Sequence, residues 1–154
     1  MKKPKFSLNV KDEVLAALVE KADKKTMAIW AMDCVERVLP FFVERYPEET
    51  RPSQALDVLR SWIETGEFSM EVIRKASLDA HAAAREVGQD DAARSAARAA
   101  GQAAATAHVK THAIAAANYA LQAIHRSASA EVAKDKVLKE REWQMKHLLS
   151  LLKK

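Results

Sequence analysis

Between Ala80 and Ala130, alanine supplies 22 of 51 residues. Alanine is the strongest helix former. Its small side chain lets helix axes approach to the short end of the usual range of about 8–10 Å. The stretch therefore predicts two or three closely packed central helices rather than low-complexity sequence. No strand pattern occurs anywhere in the chain. Helical periodicity runs from end to end, and the 154 residues suit one domain. The expected fold is all-α: a single-domain bundle of about six to seven helices over residues 1–154.

The periodicity can be followed helix by helix. From about Asn9 to Ala22, apolar residues recur at Val10, Val14, Leu18 and Ala22, with Asn9 as the expected N-cap. A second helix starts at Asp23 and carries Met27, Trp30, Cys34, Val38 and Phe41 on one face. Pro40 lies inside that pattern and predicts a kink or break, because proline lacks a donor and clashes with the preceding turn. Arg51-Pro52 opens a third helix, which turns Leu56, Leu59, Trp62 and Ile63 inward and ends at Gly66. Ser69 caps a fourth, with Ile73, Ala76, Ala80, Ala83 and Val87 as its stripe, and Asp90 caps the next.

A single helix from Asp90 to Arg126 would span about 55 Å. A compact domain of this size would leave its ends unsupported. A break is expected near His108 to Thr111, where β-branched Val109 and Thr111 lower helix propensity. A last helix, from about Ser129 to Leu152, shows Leu138, Met145, Leu149 and Leu152 as its apolar side. Trp143 falls opposite that side, with Lys136 and His147. An off-stripe tryptophan either covers other helices or marks a binding surface, with Arg141 and His147 beside it.

Several function classes have no support. With 3 Gly in the chain there is no phosphate-cradling loop or dinucleotide fingerprint. No Ser-centred elbow is present, and no complete catalytic motif. Cys34 sits on an apolar stripe, where a buried and inert thiol is expected. One cysteine cannot form an internal disulfide, which points to a reducing, cytoplasmic setting. The alanine-rich stretch is interrupted by Arg94, Arg98, His108 and Lys110, so it spans no membrane. Net charge is +4 without a single dominant basic stripe, which argues against nucleic acid as a partner. A homo-oligomer stays open.

Three i, i+4 pairs deserve separate treatment. His108 and His112 share a helix face if the helix is continuous, as zinc-binding histidines do. The zinc-protease pattern, however, requires Glu directly after the first histidine, and Val109 stands there. No metal or other cofactor is expected; if a metal were bound, His108, His112 and His81 would be its ligands. The expected state of His108 and His112 is structural, bonded to adjacent helices. His81 with Arg85, and Asp33 with Arg37, read as polar flanks of amphipathic helices. The sharper alternative is a polar groove in which Asp33, His81, Arg85, Arg98, His108 and His112 converge on a ligand.

Taken together, several segments resemble one family. They are Met27-Ala-Ile-Trp-Ala-Met-Asp-Cys-Val-Glu-Arg-Val-Leu39, Arg51-Pro52, Trp62, His81-Ala-Ala-Ala-Arg85, Ala99 to Thr111-His112-Ala113, Tyr119-Ala120 and Glu140-Arg-Glu-Trp-Gln144. Over about residues 5–150 the chain resembles the immunity-five-like putative immunity protein family. The resemblance implies a non-enzymatic protein that binds and neutralises a cognate bacterial toxin by occlusion. It assigns no role to individual residues. Two alternatives stand beside it: a small-ligand- or metal-binding bundle using the polar groove, and an uncharacterised hydrolytic enzyme with His and Asp as acid and base.

Overall fold

The structure, a computed structural model, describes residues 3, 5, 6, 12–88 and 91–154. They form eight helices and, among the described residues, no strand. The helices are α1 (Glu13–Lys21), α2 (Lys24–Glu36), α3 (Pro40–Val43), α4 (Arg51–Thr65), α5 (Met70–Arg85), α6 (Ala92–Ala105), α7 (His112–Ser127) and α8 (Ala133–Leu152). The expected count of six to seven is thus corrected to eight. Pro40 is the reason. It ends the pattern of α2 and starts a separate four-residue turn, α3, at whose first position its missing N–H costs nothing.

The caps follow local chemistry. Asp23 accepts from the Thr26 N–H at 2.7 Å, and Ser69 from the Val72 N–H at 3.3 Å. Gly66 closes α4 in the left-handed conformation, φ 73°, with its N–H donated to the Trp62 carbonyl. Asn9 and Asp90 lie outside the described residues. The caps found for α1 and α6 are Asp12 and Asp91, each accepting from a backbone N–H of its own first turn. α8 begins at Ala133 rather than Ser129, after a turn.

The alanine-rich stretch divides as its β-branched residues predict. α6 ends at Ala105, a turn runs through His108 and Val109, and α7 starts at His112. α6 is the central helix and packs against α2, α3, α4, α5 and α7. Its Ala93, Ala96, Ala97, Ala99, Ala100, Ala103 and Ala104 are all buried. Large side chains share a core cluster with this alanine floor, among them Met27, Trp30 and Leu59. Every residue of the α5 stripe from Ile73 to Val87 is buried as expected.

Two helix faces are turned part of the way from their expected orientation: Leu18, Ala22, Met145 and Leu152 pack on the core as expected, and other stripe residues do not. In α1, Val14 is 64% exposed and Leu15 and Val19 are buried. In α8, Leu138 is 60% and Leu149 43% exposed. The buried side of α8 is Ala133, Glu140, Gln144 and Leu148. A polar glutamate and glutamine occupy core positions because both find partners there, described next. No helix among the described residues is long and apolar enough to cross a membrane.

Candidate functional site

Two polar clusters form, and they divide the expected groove between them. The first lies where α2 meets α8. Asp33 accepts from or pairs with His147 Nε2 at 2.7 Å, so its partner is on α8 and not the neighbouring Arg37. Arg37 instead grips Glu140 through two hydrogen bonds, Nε–H at 2.7 Å and an Nη2–H at 3.1 Å. Its guanidinium also lies over the Trp143 ring, 3.9 Å from the centroid. The His147 ring stacks 4.9 Å from Trp143 at an interplanar angle of 16°.

Beneath this patch, Gln144 is fully buried. Its Nε2–H donates to the Ala117 carbonyl at 3.1 Å, and its Oε1 accepts from Arg141 at 3.0 Å. Its own backbone carbonyl accepts from the Trp30 indole N–H at 2.8 Å. Arg141 also donates to Asn118. Burial depresses the Arg141 pKa, with Asp12 and Cys34 acting in the opposite direction. Arg141 therefore points into the bundle and not toward solvent. Trp143 is half-buried and packs against the main apolar cluster. Its off-stripe position reflected the wrong choice of α8 face.

Cys34 is fully buried in the same region. Burial raises its thiol pKa well above the usual range, and the nearby carboxylates of Asp33 and Glu140 add to the effect. A thiol so protonated is no nucleophile.

The second cluster spans α5, α6 and α7. The Ser77 hydroxyl donates to the Gly101 carbonyl at 2.9 Å, which ties α5 to α6. Gly101 is required by this close approach. A Cβ there would meet His81 Nε2 at 2.8 Å and the Ser77 carbonyl at 3.0 Å. His81 Nδ1 is buried and has no hydrogen-bond partner among the described residues. His112 Nδ1 lies 2.8 Å from Gln102 Oε1, an α6–α7 bridge of the structural kind expected for it. His108 departs from the expected structural role: it lies in the exposed turn after α6, its side chain makes no hydrogen bond among the described residues, and it stacks loosely with Phe68, 6.3 Å between ring centroids. Arg98 and Arg85 stand close enough to His81 to depress its pKa, after burial as the larger cause, and His112 acts in the same sense.

The structure thus brings together His81, Arg85, Arg98 and His112, with His108 beside them, and places Asp33 in the other cluster. Among the described residues no group of three or more His, Cys, Asp or Glu is arranged to hold a metal ion. Sequence reasoning missed Arg37 as the partner of Glu140, and it missed Asn118, Gln102 and Gly101. The i, i+4 spacing of Glu140 and Gln144 was the one signal available for the buried polar face of α8.

A pH prediction follows. His81, His112 and His125 are each held below the usual imidazole value, with burial the largest cause. In the unfolded chain they take protons near pH ~6.5. The folded protein binds those protons only at lower pH, so the unfolded state gains more of them on acidification. The stabilisation is complete above about pH 7 and is lost as pH falls through 6.5 and the lower folded values. Urea midpoints should therefore be lower near pH 5.5 than near pH 7.5, by about the same margin at low and moderate salt. A midpoint that rises on acidification would contradict the assignment.

Residues 17–151 match the family described as Imm-5 like putative immunity protein, and the chain belongs to that family. No curated protein and no solved structure matches it.

Proposed function

We propose that this protein binds a bacterial toxin made by the same cell and neutralises it by covering the toxin's active surface. The family match over residues 17–151 of 154 carries the proposal. The chemistry of the two clusters supports a binding role over a catalytic one. Cys34 is buried with its proton held. Among the described residues the Asp33–His147 pair has no serine or cysteine nucleophile bonded to it. What the two clusters offer instead is arginine and aromatic surface, the residue types that anchor protein interfaces.

The test is co-expression with the products of neighbouring genes. One of those products should arrest growth alone, lose its toxicity when this chain is present, and copurify with it. A buried area of about 1,600 Å² would be normal for such a complex. If no neighbouring product is toxic, or none is relieved, the neutralising role fails.

A further inference from the structure

We propose that the seam between α5 and α6, built around Arg85 and Arg98, is a docking surface for an acidic segment of a protein partner. This inference rests on the partner-binding role just given and names the chemistry of the partner. The arginines of the chain fall into two groups. Arg37, Arg45, Arg51 and Arg60 pair with carboxylates, and Arg94, Arg126 and Arg141 donate to neutral oxygens. The side chains of Arg74, Arg85 and Arg98 make no hydrogen bond or ion pair among the described residues.

Arg85 and Arg98 both stand near His81, and Arg74 lies further along the same face of α5. Arg74, Leu78, His81 and Arg85 follow one another at steps of four, three and four on α5, which is a single helical stripe. Arg98 comes from α6 at the place where Gly101 lets the two helices meet. Leu78 is 58% exposed within the stripe. From Arg74 to Arg85 this stripe holds no carboxylate, the nearest being Glu71 in the first turn of α5, and Arg94, Arg98 and Gln102 on the solvent side of α6 add none. The two arginines nearest His81, Arg98 and Arg85, stand close enough to disfavour its protonation.

Like charges gathered without counter-charge repel one another in the free protein. An acidic partner removes that repulsion on docking and gains charge-assisted hydrogen bonds, which guanidinium groups form in pairs with carboxylates. The α2–α8 patch lacks this property, because Arg37 is already satisfied by Glu140 and His147 by Asp33. The exposed Leu78 adds an apolar contact inside a charged frame, a common interface arrangement.

The test titrates ¹⁵N-labelled protein with a short Glu-rich peptide at low ionic strength. Resonances of Arg74, His81, Arg85 and Arg98 should shift first. Affinity should fall about tenfold or more in Arg85→Glu/Arg98→Glu and on raising salt. Arg85 is exposed and Arg98 half-buried, and an unchanged circular dichroism spectrum and melting curve confirm the variant's fold. Shifts confined to the terminal lysines, or no shift, overturn the proposal. So does tighter binding of inorganic phosphate or of an oligodeoxythymidine at the same seam. In the toxin co-expression assay the same variant should lose protection. Full protection by Arg85→Glu/Arg98→Glu would refute the seam while leaving the neutralising role intact.

Discussion

Trp30→Ala should lower the unfolding free energy by about 3–5 kcal/mol, the usual cost of removing a large aromatic side chain from a packed core. Trp30 is wholly inaccessible to solvent and belongs to the main apolar cluster with Met27, Cys34, Leu59 and Leu148. Its indole N–H also donates to the Gln144 carbonyl, joining α2 to α8 across 114 residues of sequence. The alanines around it on α6 and α7 cannot extend to fill the void. A loss of this size is a large part of the ~5–15 kcal/mol that holds a typical domain together. Urea denaturation followed by circular dichroism measures it. Trp30→Phe should cost less, because the ring volume largely remains and only the N–H bond is lost. A Trp30→Ala variant within about 1 kcal/mol of the parent would show that this contact is not part of a tight core.

Gln144→Leu should cost about 1.5–3 kcal/mol although it replaces a polar core residue by an apolar one of similar volume. The reason lies in its partner. Arg141 donates to Gln144 Oε1 and to Asn118, and among the described residues no carboxylate is bonded to it. Removing the amide leaves a buried guanidinium short of an acceptor, and an under-satisfied buried charge is expensive. Arg141→Met removes the demand as well as the donor. The double variant Arg141→Met/Gln144→Leu should therefore be more stable than the sum of the two single changes implies. Additive losses in the four-variant cycle would mean that the two side chains are not coupled.

Much of the fold was legible because it is written locally. Helix caps are set within one turn, so Asp23, Gly66 and Ser69 could be read from their own neighbourhoods. The α5 stripe was recovered residue by residue, since nothing polar occupies it. The break between α6 and α7 followed from β-branched Val109 and Thr111. Family membership was legible as well, because its segments are distributed along the chain.

The two polar clusters were legible only in part, and their failure has one cause. An interior polar residue looks like a surface residue until its partner is in place. Glu140 and Gln144 were left out of the expected core of α8, and Leu138 and Leu149 were put in it, because hydrophobic periodicity counts apolar positions alone. Arg37 lies 103 residues before Glu140, and Asp33 lies 114 before His147. Local spacing paired Asp33 with Arg37, and long-range packing gave each a partner on α8 instead. The same holds for the α5–α6 seam. Its arginines are separated in sequence by Gly88 and a new helix, so no basic stripe shows in one dimension. Sequence by itself determined where helices start, stop and hide their alanines, since those are short-range consequences of propensity and period. Tertiary structure decided which face of α8 is inside and which cations are left without a counter-charge, since only packing brings distant polar groups within hydrogen-bond reach.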